Sequence, residues 1–261
     1  MARWSSWGAI PQVFDESNGE WENEREQLRG LLSADEWAAA RRTTLNAHYT
    51  DPAYVREIWT AVAGLGLTAG EVLEPGAGSG TFIGMAPAGV KMTGIELDPI
   101  SATIARGLYP EAAVRTESFA DTRLPRGVAD AVVGNVPFGD IVLHDPEFNP
   151  GRHSMHNYFI IKALALTRPG GVVAVLTSRY TMDATNPAAR REMNAMGDLV
   201  GAVRLPTGAH QRAAGTEAVT DLVILRRRMP GEPKRDTSWE TVTPVPSMPA
   251  GQDQHLLATE P

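Results

Sequence analysis

The chain has 261 residues, 43% of them apolar, with a formal net charge of −7 and a sequence pI near 5.4. That length supports one sizeable core with appendages, and the acidic balance argues mildly against a free-standing nucleic-acid binder, though not against a catalytic module whose grip lies elsewhere. The absence of cysteine excludes disulfides, thiolate metal sites and any mechanism through a cysteine nucleophile; with no run of about eighteen apolar residues and no signal-peptide pattern, a soluble cytoplasmic protein without membrane partners is expected.

Residues 1–48 predict a helical extension. Trp4, Trp7 and Trp21 are scattered through a polar entry, a charged helix follows over 22–32, and Ser33-Ala34-Asp35-Glu36 is a capping-box pattern that opens a second helix through residue 42. Asp51-Pro52 starts another helix, with Asp as cap and Pro in the first turn. From residue 70 the pattern alternates. Strands are predicted over 71–74, 91–96, 113–115, 129–134 and 172–176, and again over 199–204 and 221–225. Helices are predicted after the first strand, from Asp98-Pro99 through residue 108, over 155–167, and from Asn186-Pro187. Alternating strand and helix predicts an α/β fold with a doubly wound, mostly parallel sheet. The run 172–176 is continuously apolar, as a strand buried on both faces requires. Residues 49–228 form the catalytic domain in this reading. Residues 229–261, rich in Pro, Thr, Glu and Gln, read as a disordered tail or linker, or the cut edge of a longer protein.

Between the first strand and the next helix lies Glu74-Pro75-Gly76-Ala77-Gly78-Ser79-Gly80. Glycines there permit a tight turn and close approach of a ligand to the backbone. Glu96 ends the second strand about twenty positions later, where a carboxylate suits a ribose diol. The spacing is not that of dinucleotide-binding loops, and a loop that begins with an acid would repel a pyrophosphate. A cofactor with a cationic centre and an amino-acid end fits better, which points to S-adenosylmethionine. The alternative is a tight strand–helix turn that binds nothing.

The most informative motif is Asn135-Val136-Pro137-Phe138 at the end of the fourth strand. The Asn side-chain oxygen and a main-chain carbonyl beside Pro can accept hydrogen bonds from one planar –NH2 group, and the aromatic ring can stack on its heterocycle. Two acceptors placed in advance favour the charge that develops on a poorly nucleophilic nitrogen during alkyl transfer. Catalytic roles are therefore expected for Asn135, Pro137 and Phe138.

Taken together, these motifs resemble the amino-group DNA methyltransferases of the γ arrangement, and most of all the adenine-N6 methylase modules fused to helicases in phages and mobile elements. The resemblance runs from about residue 4 to residue 228. It is carried by Thr44-Leu45-Asn46-Ala47-His48-Tyr49-Thr50, the glycine loop, Gly134 to Gly139, Arg168-Pro169-Gly170-Gly171, and Gly215-Thr216-Glu217 with Thr220-Asp221. It implies a Rossmann-like methyltransferase fold, with Tyr49 and Thr50 at the methionine end of S-adenosylmethionine. Glu74, Gly76 and Gly78 would lie along its methionine and ribose portions, and Glu96 on the ribose hydroxyls. The target would be an adenine flipped out of DNA, methylated directly on N6 with no covalent enzyme intermediate. Two tetrapeptide positions depart from the commonest pattern, Val136 for Pro and Phe138 for Tyr, and both preserve the acceptors and the stacking face. After the third strand the usual Asp is missing, which leaves Phe119 to pack against the cofactor adenine.

Other readings stay open. A glutamine carboxamide is also a planar –NH2 group, so a protein glutamine-N5 methyltransferase fits the tetrapeptide, and so does a non-catalytic S-adenosylmethionine-binding module. His48, His144, His153 and His156 match no metal-site spacing, so no metal is expected. Asp140 and Asp145 read as turn residues, Phe159 as either a base contact or a core aromatic, and Arg226 to Arg228 as a solvated basic run. Arg204 stands near the expected active edge and would border a DNA cleft. Little chain remains for reading a target sequence, which implies inserted loops, or a helicase or target-recognition domain or subunit outside this chain.

Overall fold

The computed structural model describes residues 7, 10–44, 50–206 and 219–243. Seven strands form one sheet: β1 (Gly70–Pro75), β2 (Val90–Glu96), β3 (Ala113–Thr116), β4 (Ala129–Asn135), β5 (Thr167–Ser178), β6 (Gly197–Arg204) and β7 (Thr220–Arg227), in the order β3-β2-β1-β4-β5-β7-β6. The pairings among β1 to β5 are parallel, while β7 runs antiparallel between β5 and β6. The order reverses between β1 and β4, so the crevice where open α/β sheets bind ligands lies at the carboxyl ends of those two strands.

Side-chain alternation divides the interior into two cores. Val72, Ala131, Val133, Val172 and Ala174 face one side, with Val55, Ile58, Trp59 and Val62 of α3 (Pro52–Gly64) and Phe82 and Ile83 of the single-turn helix α4 (Thr81–Gly84). Leu73, Val132, Val173 and Val175 face the other, against α6 (Met155–Leu166) and α8 (Ala188–Met196). Every residue of α6 is buried. A helix apolar on all faces belongs in a core, and its few polar groups must find partners there.

The predicted caps form. Ser33 and Glu36 make the reciprocal capping box of α2 (Ala34–Thr43), which follows α1 (Glu22–Leu31). Asp51 caps α3 through Ala53 N at 2.8 Å, and Asp98 caps α5 (Pro99–Leu108) through Ser101 N at 2.9 Å. Trp7, Val13, Phe14 and Ala40 build a small separate core over the extension, packed against Ile100 of α5. The extension therefore rests on the helix that follows the Glu96 strand.

Two boundaries differ from expectation. β5 begins at Thr167, not Val172, because Thr167 pairs with Ala129 across a bulge before Val172 pairs with Ala131. The Pro-Gly-Gly stretch is a kink inside this strand, and a Cβ at Gly171 would lie 2.5 Å from the Asp130 carbonyl. Residues 236–240, after β7, pack on the body. Arg190 is buried in α8 and donates to the carbonyls of Glu240 (3.0 Å), Thr181 (3.0 Å) and Ala184 (2.6 Å). Asn194 Nδ2 donates to Asp236 O and Glu240 Oε1, and Trp239 packs on the core. Low apolar content conceals this docking because polar anchors make it. Arg190 thereby ties the tail to α7 (Tyr180–Asp183), the turn of helix that follows β5. Replacing Arg190 by Ala strands three carbonyls and leaves a cavity, so we expect a loss of about 3 kcal/mol or more in urea unfolding.

Candidate active site

The carboxyl ends of β1, β2 and β4 bring the predicted residues together. Glu74 closes β1 and is buried, Glu96 closes β2, and Asn135 closes β4. Gly134 lies against β1, where a Cβ would meet Glu74 Cγ at 3.4 Å. Gly76, at φ +80°, lies against the tetrapeptide: its Cβ would stand 3.6 Å from Pro137 and 3.7 Å from the Asn135 carbonyl. The glycine loop and the tetrapeptide tip thus lie close together at the carboxyl ends of β1 and β4. The loop is held by the Gly76 and Ala77 amides donating to Ile95 O, and the tip by Val136 N donating to Leu176 O at 3.0 Å.

The electrostatics of the β1–β2 end are unusual. Glu96 accepts from Gly78 N and Asp98 N, each at 2.7 Å. Burial pushes its carboxyl up to about 7 despite those two donors. Burial, reinforced by Glu96, raises the Glu74 carboxyl well above the carboxylate range. Its Oε2 is buried and has no hydrogen-bond partner among the described residues. Carboxylates held out of water beside one another fit a ligand that brings positive charge and hydroxyl donors.

Thr50 is buried immediately ahead of the Asp51 cap, whereas Tyr49 and the Gly215-Thr216-Glu217 motif lie outside the described residues. Pro137 and Phe138 are half-buried. Phe119, on the loop after β3, is buried in the α6 core, 4.9 Å from the Phe159 ring and 6.2 Å from Tyr158. Phe159 is a core aromatic. Arg228 is buried against Asp198 at 2.6 Å and is not solvated, and Arg204 is paired with Asp183 and Asp221.

Sequence reasoning missed a buried polar group on α6. Asp145 is a turn residue, accepting from Glu147 N and Phe148 N, but it is also one end of a buried ion pair. Lys162 Nζ donates to Asp145 Oδ2 (2.9 Å), Phe119 O (2.6 Å) and Thr122 O (3.2 Å), which matches the three donors of an ammonium with three acceptors. Tyr158 Oη donates to the same carboxylate oxygen at 2.7 Å. Burial pushes the Asp145 carboxyl up, but the donors Lys162 and Tyr158 outweigh it and hold it below its usual range. The available signal was a lysine inside a helix apolar on every face.

No protein-family model matches the chain. It is 31% identical over 189 residues to the defence-against-restriction protein B of Escherichia phage P1, covering 70% of this chain and 8% of that protein. It is 28% identical over 180 residues to the type II methyltransferase M.XamI of Xanthomonas campestris pv. amaranthicola, covering 59% of this chain and 33% of that enzyme. Among solved structures, a class I S-adenosylmethionine-dependent methyltransferase of Listeria monocytogenes superposes with a TM-score of 0.59 at 15% identity, over 89% of this chain and 82% of that one. A type I restriction enzyme modification subunit from Vibrio vulnificus YJ016 gives 0.56 at 15%, over 85% and 54%. The chain has the S-adenosylmethionine-dependent methyltransferase fold. It spans a tenth or less of one curated relative and a third of the other. S-adenosylmethionine is the cofactor of this fold, and the buried acidic pair beside an open glycine turn fits its cationic centre and diol.

Because Lys162 is enclosed, removing it leaves Asp145 charged and unpaired. Lys162→Ala is expected to lower unfolding stability by about 3–5 kcal/mol, and Asp145→Ala by a similar amount. Their double variant should cost less than the sum of the two, as a double-mutant cycle in urea would show.

Proposed function

We propose that this methyltransferase module acts on DNA, transferring a methyl group directly to the exocyclic N6 amine of an adenine flipped out of the helix. The observation that supports this reading is the approach of Gly76 to the tetrapeptide, where an added Cβ would stand 3.6 Å from Pro137 and 3.7 Å from the Asn135 carbonyl, so that the glycine loop lies beside a tip suited to a planar amine. The phage and restriction–modification relatives favour DNA over protein as the bearer of that amine.

In this reading Glu74, Gly76 and Gly78 line the methionine and ribose portions of the cofactor, Glu96 holds the ribose hydroxyls, and Thr50, with Tyr49, stands at the methionine end. Phe119 supports the adenine side from within the core. When bound, S-adenosylmethionine supplies an electrophilic methyl group on a sulfonium. Asn135 Oδ1 and a main-chain carbonyl beside Pro137 accept hydrogen bonds from the two N6 hydrogens. They orient the amine and favour the positive charge it gains as the nitrogen–methyl bond forms. Phe138 stacks on the base. The surplus proton leaves to water after transfer, so no strong base is needed in advance, and no enzyme side chain becomes methylated.

Labelled methyl transfer to unmethylated duplex DNA, single-stranded DNA and a protein extract tests the reading. Label in DNA is expected, reduced about a hundredfold or more by Asn135→Ala. Label in protein with none in DNA would move the assignment to a glutamine methyltransferase.

The acidic pair predicts a pH dependence. Glu96, at about 7 in the folded chain, is protonated in both folded and unfolded states below the ordinary glutamate range. Its contribution to stability is full there and is lost as pH rises through about 7. A ligand that brings positive charge and hydroxyls offsets that loss. The melting-temperature increase from the unreactive analogue sinefungin should therefore be larger near pH 8 than near pH 6. Glu96→Gln should flatten the difference; equal increases at both values for the native chain would contradict the assignment.

A further inference from the structure

The polar groups of α6 divide into two sets. Lys162 and Tyr158 are matched by partners, whereas two atoms in the first turn are not. His156 Nδ1 and Asn157 Oδ1 are buried with no hydrogen-bond partner among the described residues, on side chains that are 4% and 9% exposed. An unsatisfied buried polar atom costs stability, and two on consecutive residues call for a ligand.

Their place in the fold says which ligand. Asp140, two residues beyond Phe138, is near enough to act on the charge of His156, and Met155 packs in the same core as Val136. Asn157 Nδ2 donates to Ser154 Oγ at 3.2 Å, and Ser154 Oγ stands 3.2 Å from His156 Nε2. In the tautomer where the Ser154 hydroxyl donates to Nε2, the imidazole proton lies on Nδ1. Burial pulls the imidazole down to about 4, so the ring is neutral at ordinary pH. His156 thus presents one neutral N–H donor beside the free Asn157 acceptor. A phosphate does not suit the place, since both Asp140 and Asn157 Oδ1 would repel it. A neutral heterocycle with an acceptor nitrogen in its ring does.

We propose that His156 Nδ1–H donates to a ring nitrogen of the flipped adenine, with Ser154 and Asn157 as positioning residues that hold its tautomer. This deepens the proposed function and rests on it: the tip holds N6, and His156 reads the ring that carries it. The base enters by displacing the segment over residues 139–142, where Ile141 and Val142 are 55% and 42% exposed and fill no core position.

The test uses the whole chain and oligonucleotides in which the target adenine is replaced by 1-, 3- or 7-deazaadenine, each lacking one ring acceptor. The native chain should lose about ten- to hundredfold in kcat/KM with one of the three. His156→Phe should lose about as much on ordinary adenine and show no further loss with that analogue. His156→Asn, whose Nδ2 takes the place of Nδ1, should recover most of the activity and the analogue penalty. Melting temperature with sinefungin checks that each variant folds and binds. The proposal fails if no analogue lowers native activity, if the penalty persists undiminished in a folded His156→Phe, or, should that variant not fold, if His156→Asn is no more active on ordinary adenine than His156→Ala. Absence of any transfer to DNA adenine by the native chain would overturn the proposed function as well, so the two failures are distinct.

Discussion

One ammonium group holds the working end of this molecule together. Lys162 sits at zero exposure in the central helix and spends its three N–H donors on the loop after β3 and the loop after β4. Those loops follow two different strands of the sheet, and one group ties both to α6. Burying an ammonium is costly unless every donor is met, and an apolar residue of similar size would often be as stable. What an apolar residue would not do is fix two loops to the same point. Tyr158, which meets Asp145 from the same helix, closes the arrangement and keeps the carboxylate ionised.

The opposite condition holds at the ends of β1 and β2. There the carboxyls of Glu74 and Glu96 face one another with too few donors, and both are raised. A chain folded for stability alone would not keep them. Strain of this kind at the crevice is what a cationic cofactor relieves, and the same logic extends to the unmatched atoms of His156 and Asn157.

Much of this was legible in the sequence, for physical reasons. Caps such as Ser33, Asp51 and Asp98 announce helices because the orphan amides they satisfy are local. The runs 129–134 and 172–176 announce buried parallel strands because both faces need apolar residues. The antiparallel placement of β7 was not legible, since its alternation looks the same in either direction. Nor was the start of β5 at Thr167, because a strand with a Pro-Gly-Gly kink reads as a turn. At the site, Glu74, Gly76, Glu96 and Asn135 could be placed by motif order alone. Lys162, Asp145 and His156 could not, because their meaning lies in partners many residues away, and a turn aspartate looks like any other until the lysine beneath it is seen.

The chain spans a small part of its curated relatives. The chemistry assigned to the module can be tested alone. Product DNA digested to nucleosides and resolved by mass spectrometry tests it most directly. The account predicts N6-methyldeoxyadenosine as the methylated nucleoside, absent with Asn135→Ala. A methyl group on cytosine, or on ring nitrogens of adenine in place of N6, would contradict the role assigned to the Asn135 tip.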